Sequence, residues 1–184
     1  MQKYLIISVV ILALLFPTAA SAKGYFSVGG GAGGDGGAPN ITFEVENVTA
    51  DRDRDRLLAV GFGFIFSADD IPSEIYEDPA ADESFTRIGH KQKGNEIVIL
   101  GKYGREVIKK RKLFVFAIGG FSFLEEIELY RSDVTGWYYE KSSNTKYLGV
   151  LGGGISCFPF NGKISLSIEY DNRRGLSGMI GFRF

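Results

Sequence analysis

The chain has 184 residues, and its 21 lysine and arginine residues nearly balance its 22 aspartate and glutamate residues. Proteins that bind nucleic acids usually carry a basic excess, so no nucleic-acid partner is expected. The single cysteine, Cys157, excludes an intramolecular disulfide bond and is interpreted as a small packing side chain.

The N-terminus has the pattern of a secretory signal peptide. A basic start at Lys3 precedes an apolar run from Tyr4 to Phe16, and Ala20-Ser21-Ala22 supplies the small residues of a cleavage site. The apolar run is too short for a membrane helix, which needs about 20 residues. We therefore predict that residues 1–22 are a signal peptide and that residues 23–184 form one domain.

Eight segments of the mature chain read as β-strands, because apolar and polar residues alternate along them. The predicted strands cover residues 24–33, 40–48, 56–66, 95–107, 112–124, 145–158, 163–171 and 176–184. Both faces of the fifth and sixth strands are apolar, so their orientation is left open. No other stretch is long enough for a membrane helix, and only a closed barrel otherwise satisfies the backbone within lipid.

The alternation fits two architectures that differ in which face points inward. A soluble barrel or sandwich buries its apolar face, whereas a membrane barrel turns that face toward lipid and its polar face toward the lumen. The signal peptide, the aromatic content and strands of about 9–11 residues favour the membrane barrel. We therefore predict an all-β fold, an eight-stranded antiparallel up-and-down transmembrane β-barrel.

The lengths of the connections distinguish the two ends of this barrel. Asn161-Gly162 is a tight hairpin signal, and residues 49–55 and the basic run at 109–112 are also short turns. These turns are expected on the periplasmic side. The longer connections, residues 67–94 and 125–144, then lie on the outside, as they do in barrels of this kind.

The C-terminal strand resembles those of small porin-like outer-membrane β-barrels of Gram-negative bacteria. In Ile180-Gly-Phe-Arg-Phe184, apolar side chains alternate and the last residue is aromatic. This ending is similar to the signal that the barrel-insertion machinery reads, which makes Ile180, Phe182 and Phe184 the candidate insertion signal. The resemblance implies a location in the outer membrane, contact with its lipid and lipopolysaccharide, and a monomer.

Charged residues on the polar strand faces are expected to fill the lumen. They are Glu44, Glu46, Glu96, Lys102, Glu106, Glu169, Asp171 and Arg183, together with Arg56. The preferred interpretation is an interior ion-pair network, and the alternative is a carboxylate pair for acid–base catalysis. An eight-stranded barrel is just wide enough for side chains to fill, so the lumen is too narrow for a general porin.

No catalytic, cofactor or metal site is expected from the sequence. Outer-membrane lipid A deacylases carry a His and a Ser near the last hairpin, where this chain reads Glu169-Tyr-Asp171; its one histidine, His90, lies in a loop. We therefore predict a structural or surface-interaction role without enzyme activity. The alternatives are a lipid-modifying barrel enzyme and a soluble periplasmic lipocalin-like barrel that binds an apolar ligand.

The predicted outer loops contain an acidic cluster and an aromatic run. An acidic cluster without Lys or Arg suits divalent cations, although a solvated loop is the preferred interpretation. Its residues are Asp69, Asp70, Glu74, Glu77, Asp78, Asp82 and Glu83. The run Trp137-Tyr138-Tyr139 is interpreted as part of an aromatic girdle, with a contact for a surface ligand as the alternative.

Overall fold

The computed structural model describes residues 22–33, 37–66, 71–76, 84–109 and 112–184. Eight antiparallel strands pair in chain order and the last closes onto the first, which forms one closed barrel. The strands are β1 (Ala22–Ala32), β2 (Pro39–Thr49), β3 (Arg56–Ile65), β4 (Phe85–Ile108), β5 (Leu113–Ser132), β6 (Tyr138–Cys157), β7 (Ile164–Asp171) and β8 (Gly175–Arg183). The predicted all-β, eight-stranded antiparallel architecture is confirmed.

Alternate side chains point into and out of the barrel, as the pleat of a strand requires. Every second residue of β2 from Asn40 to Val48 is buried, and the residues between them are partly exposed. The pattern also settles the two strands whose orientation the sequence left open. Phe116 of β5 and Val150 of β6 point inward, and Leu151 points outward.

Three strands extend well beyond the barrel. β4 starts ten residues before its predicted limit, β5 ends eight residues after its limit, and β6 starts seven residues before its limit. Residues 85–94, 124–132 and 138–146 form a protruding three-stranded sheet, here called the extension. Its strands carry polar side chains on both faces, so the sequence lacks the apolar alternation that identifies a strand.

The two ends of the barrel differ. The end at which short connections join β2 to β3, β4 to β5 and β6 to β7 is here called the turn end, and the opposite end carries the extension. The run Trp137-Tyr138-Tyr139 lies at the tip of the extension, roughly 30 Å of strand beyond Tyr147. Because β5 and β6 continue past the barrel, this position favours the alternative interpretation of the run, a contact for a surface ligand, over the girdle.

Parts of the sequence predictions fall outside the described residues. They are residues 1–21 of the predicted signal peptide and all of the acidic cluster except Glu74. The Glu74 carboxylate accepts a hydrogen bond of 3.4 Å from the Tyr76 hydroxyl. Within the described ranges, no group of three or more His, Cys, Asp or Glu side chains is placed to hold a metal ion. No helix in those ranges has the length and apolarity to cross a membrane.

Candidate functional site

Polar side chains predominate on one side of the barrel interior, here called the polar wall, and apolar side chains predominate on the other. The buried polar side chains of β1, β2, β7 and β8 include Ser27, Thr42, Glu44, Glu46, Ser165, Ser167, Glu169, Asp171 and Ser177. The buried apolar side chains of β3 to β6 include Leu57, Val98, Leu100, Phe114, Phe116, Ile118 and Val150. Since buried charges are stable only when paired, the polar wall needs cations from elsewhere.

Lys102 supplies the central cation. It lies on β4 and crosses the interior to the polar wall, where its Nζ is 2.6 Å from Glu44 Oε2 and also bonds Glu169. The ammonium group lies 4.9 Å from the centre of the Phe116 ring, which adds a cation–π contact. Lys102 is 4% exposed and Glu44 1%, so this cluster is shielded from water.

Arg174 supplies a second cation from the turn between β7 and β8. Its Nε donates to Asp171 at 2.6 Å, its Nη1 donates to Thr42 Oγ1 at 2.9 Å, and its Nη2 lies 2.9 Å from Glu169 Oε1. The side chain is fully buried. Because Glu169 also bonds Lys102, the two cations share one carboxylate and belong to one network.

Arg173 extends this network toward the rim. Its Nε and Nη2 donate to the two carboxylate oxygens of Glu96, at 2.8 and 2.7 Å. Such a bidentate pair is among the stronger hydrogen-bonded ion pairs in proteins. The two arginines of the turn after β7 therefore bind carboxylates of β4 and of β7.

Hydroxyl groups bind the remaining central carboxylate. Glu46 accepts hydrogen bonds from Ser27 and from Ser165, the latter at 3.3 Å. A Cβ atom on Gly181 would meet both hydroxyl groups, so this position has room only for glycine. A Cβ on Gly61 would lie 2.6 Å from Glu44 Cγ. The inward glycines thus create the space in which the carboxylates lie.

Aromatic side chains close the interior at the turn end. The Phe158 ring packs against Tyr25 and Phe114, with ring centroids 4.9 and 5.2 Å apart. The Tyr25 hydroxyl donates a hydrogen bond of 2.7 Å to the carbonyl of Gly162. All three rings are buried. The barrel is therefore filled by ion pairs at its centre and by aromatic rings at one end.

The structure brings most of the predicted lumen residues into the interior. Glu44, Glu46, Glu96, Lys102, Glu169 and Asp171 are all buried, and each of them bonds at least one other member of the network. Glu106 is buried apart from them, near the turn end, with its Oε1 3.8 Å from Lys112 Nζ.

Two predicted lumen residues lie elsewhere. Arg183 is on the inward face, because it pairs in register with buried Tyr25, but it lies at the very end of the barrel and is exposed there. Arg56 is also exposed, and its Nη2 binds Asp51 at 2.7 Å in the turn between β2 and β3. Its assignment to the lumen is wrong, because the inward positions of β3 begin at Leu57.

The insertion-signal candidates all point outward. Ile180, Phe182 and Phe184 are exposed on the outer surface of β8 and just after it, and Phe184 is 75% exposed. The backbone N–H of Phe184 donates to the carbonyl of Gly24, so the C-terminus is tied to β1.

Sequence reasoning missed the two arginines of the network and Ser27. Arg173 and Arg174 lie in a turn, where alternation along a strand assigns no direction. A charge count contained the missing signal. The predicted interior held six carboxylates against three cations, Lys102, Arg56 and Arg183, so further buried cations were required.

His90 lies outside this network. It is on the extension, where its Nε2 is 2.9 Å from Arg87 Nη2 and its Nδ1 is 3.3 Å from Glu126 Oε2. Both of these partners of the His90 ring are charged side chains, and neither supplies a hydroxyl group that could act as a nucleophile.

No protein-family model and no curated protein sequence matches this chain. Its functional interpretation therefore depends on the geometry described above.

Proposed function

We propose that this protein is a monomeric integral β-barrel of a Gram-negative outer membrane, exported by its signal peptide. Its role is structural or surface-interacting, and it acts through the connections at the extension end. It has no enzymatic function, and its surroundings are outer-membrane lipid and lipopolysaccharide after delivery by the barrel-insertion machinery.

The observation that carries the proposal is the distribution of charge. The buried positions hold a connected set of carboxylates and cations, whereas the outward positions of the described barrel strands carry charge only at Arg56 and Arg105. Both arginines are exposed and pair with each other in register at the turn end. A soluble lipocalin-like barrel needs the opposite arrangement, with an apolar interior and a charged exterior. Apolar-out and polar-in is the pattern of a membrane barrel.

Outward aromatic side chains give further support. Phe26, Tyr103, Phe182 and Phe184 lie toward the turn end, and Phe66, Phe121, Tyr147 and Tyr170 lie toward the extension end. Aromatic residues gather at both interfaces of a bilayer, because their rings are apolar and tolerate the polar headgroup region.

The packed interior argues against a general porin. Lys102, Arg174 and their carboxylates occupy the centre, and Tyr25 and Phe158 fill the turn end. Eight strands enclose a lumen that side chains can fill completely. A passive channel would first have to break buried ion pairs, which is unfavourable.

The extension is the part of the protein best placed for surface contacts. It is held by ion pairs between its strands, with Arg87 bound to Glu128 and Lys146 bound to Glu126, each at 2.7 Å. At its tip the Tyr76 and Trp137 rings stack with their centroids 4.7 Å apart. A sheet that carries exposed aromatic and charged groups is suited to contact other surface molecules.

Fractionation of a Gram-negative host that expresses the full chain tests the proposal. We expect the protein in outer membranes, with a mobility on denaturing gels that changes on boiling because a closed barrel resists detergent. Protease added to intact cells should cut at residues 133–137 and leave the barrel whole. A soluble periplasmic product without a mobility shift would refute the membrane proposal.

A further inference from the structure

The turn end contains a cavity that the ion-pair network does not use. Its volume is about 710 Å³, and three turns and the start of β1 surround it. Tyr25 and Phe158, which close the barrel interior, form its floor, and Lys23, Lys112 and Phe160 also line it. This volume is within the range of sites for small molecules, about 300–1,000 Å³.

Backbone strain is concentrated around this cavity. Within the described part of the chain, three residues other than glycine have left-handed backbone angles: Lys112 (φ 48°), Phe160 (φ 52°) and Asn161 (φ 57°). All three line the cavity. At Asn161 this conformation belongs to the Asn-Gly turn, in which the Lys163 N–H donates a hydrogen bond of 3.2 Å to the Phe160 carbonyl. It is unfavourable for the bulky Phe160, which is 69% exposed, so burial does not explain the conformation of that residue.

The charged side chains that line the cavity are Lys23, Lys112 and Asp55. Lys112 Nζ is 2.8 Å from Asp55 and 3.8 Å from Glu106, so its charge is matched by carboxylates. Lys23 has no ion-pair partner among the residues that the structure describes. A Cβ on Gly162 would lie 3.2 Å from Tyr25 Oη and 3.8 Å from Lys23 Nζ, which places the ammonium group close to the aromatic floor.

We infer that this cavity binds a small carboxylate that bears an aromatic or aliphatic group. Its apolar part lies on Tyr25 and Phe158 with Phe160 covering it, and its carboxylate accepts hydrogen bonds from Lys23. The strained turn serves to hold the Phe160 ring beside the ligand. The inference does not depend on the membrane proposal, because the cavity lies at the end of the barrel and not on its outer wall.

The test uses 3-phenylpropionate as the probe and the protein as purified from the expressing host. Titration calorimetry should give a dissociation constant of about 0.1–1 mM, as expected for so small a ligand. The neutral 3-phenylpropionamide should bind at least about fivefold more weakly, because it lacks the charge that pairs with Lys23. Amide chemical shifts should change at Gly162 and Lys163 and not in the extension.

Substitutions separate binding from folding. Lys23→Gln should weaken 3-phenylpropionate binding about fivefold, whereas Lys163→Gln, an exposed cation in the same turn, should leave it within twofold. Phe160→Gly relieves the left-handed strain, so it should raise the unfolding midpoint and at the same time weaken binding at least threefold. Three results would each overturn the inference. They are equal affinity for the acid and the amide, no binding of the acid at 10 mM (about tenfold above the expected constant), and unchanged binding in Phe160→Gly.

Discussion

Lys102 on β4 and Glu44 on β2 are bonded inside the barrel, with Nζ 2.6 Å from Oε2, although 58 residues separate them in the chain. The strand between them contributes Gly61, which leaves space for the Glu44 side chain. A shift of one residue in the pairing of either strand would turn the charged side chain outward. The ion pair therefore specifies the register of β2, β3 and β4 as well as filling the lumen.

Removal of the cation should destabilise the barrel strongly. Lys102→Met leaves Glu44 and Glu169 buried without their partner, and breaking a buried pair in this way costs about 3–5 kcal/mol. The urea midpoint of the folded band on unboiled gels measures the loss. We expect a lower midpoint and a smaller folded fraction at equilibrium.

Two variants test the cause of this loss. Lys163→Met changes an exposed lysine at the turn end and should leave the midpoint unchanged. Combining Lys102→Met with Glu44→Gln and Glu169→Gln removes the uncompensated charges, so stability should recover in part. A triple variant less stable than Lys102→Met would show that the charge explanation is wrong.

A methyl group inside the barrel should be far more harmful than one outside. Gly61→Ala places a Cβ 2.6 Å from Glu44 Cγ and 3.0 Å from the carbonyl oxygen of Phe43, which should cost about 1–3 kcal/mol through overpacking. Gly119→Ala adds the same atom on an outward position with nothing within 4 Å. Its unfolding midpoint should not fall. Equal losses in both variants would contradict the assigned orientation of β3 and β5.

Much of the fold follows from side-chain alternation. The predicted limits of β1, β2, β3, β7 and β8 lie within two residues of those observed, because apolar and polar residues alternate along these strands. Side-chain alternation did not predict the extension. Strand pairing there depends on cross-strand pairs such as Arg87 with Glu128, which no periodic pattern within one segment reveals.

The candidate site was predictable to a similar degree. Inward carboxylates on β2 and β7 could be assigned from alternation, because neighbouring positions such as Phe43 and Ile168 are apolar. Arg174 could not, because its direction depends on the conformation of a turn. The cavity at the turn end was also beyond prediction, since it forms where three turns distant in sequence meet.

Acid should loosen the extension. Although partial burial raises the pKa of Glu128, hydrogen bonds from Tyr130 and the positive charge of Arg87 outweigh it and hold this pKa below its usual value. A pKa lowered by folding means that the carboxylate stabilises the fold above its unfolded-state pKa and that this stabilisation is lost as pH falls through the folded pKa. Amide protection in residues 86–91, corrected for intrinsic exchange, should therefore be lower at pH 3 than at pH 6, about the acid range of a glutamate.

The variant Glu128→Gln provides the control for this pH effect. It should reduce the protection of residues 86–91 already at pH 6 and remove most of the further loss at pH 3. Glu125→Gln, which changes a carboxylate that accepts from Ser143, should keep the pH dependence. Loss of the effect in both variants would indicate a general acid response of the sheet and not the titration of Glu128.

The last residue should matter for assembly in cells more than for the stability of the barrel. Phe184 is exposed and lies outside the interior packing, so Phe184→Ala removes few contacts within the folded protein. If the outward residues Ile180, Phe182 and Phe184 are read by the insertion machinery, this variant should reduce the amount in outer membranes severalfold. Its urea midpoint after refolding in detergent should stay close to that of the parent protein.

Leu151→Ala changes another outward side chain of similar exposure and should reach the membrane normally. Equal membrane levels of the Phe184 variant and the parent would exclude Phe184 from the signal, whereas a matching loss of refolded stability would show that its contribution is structural.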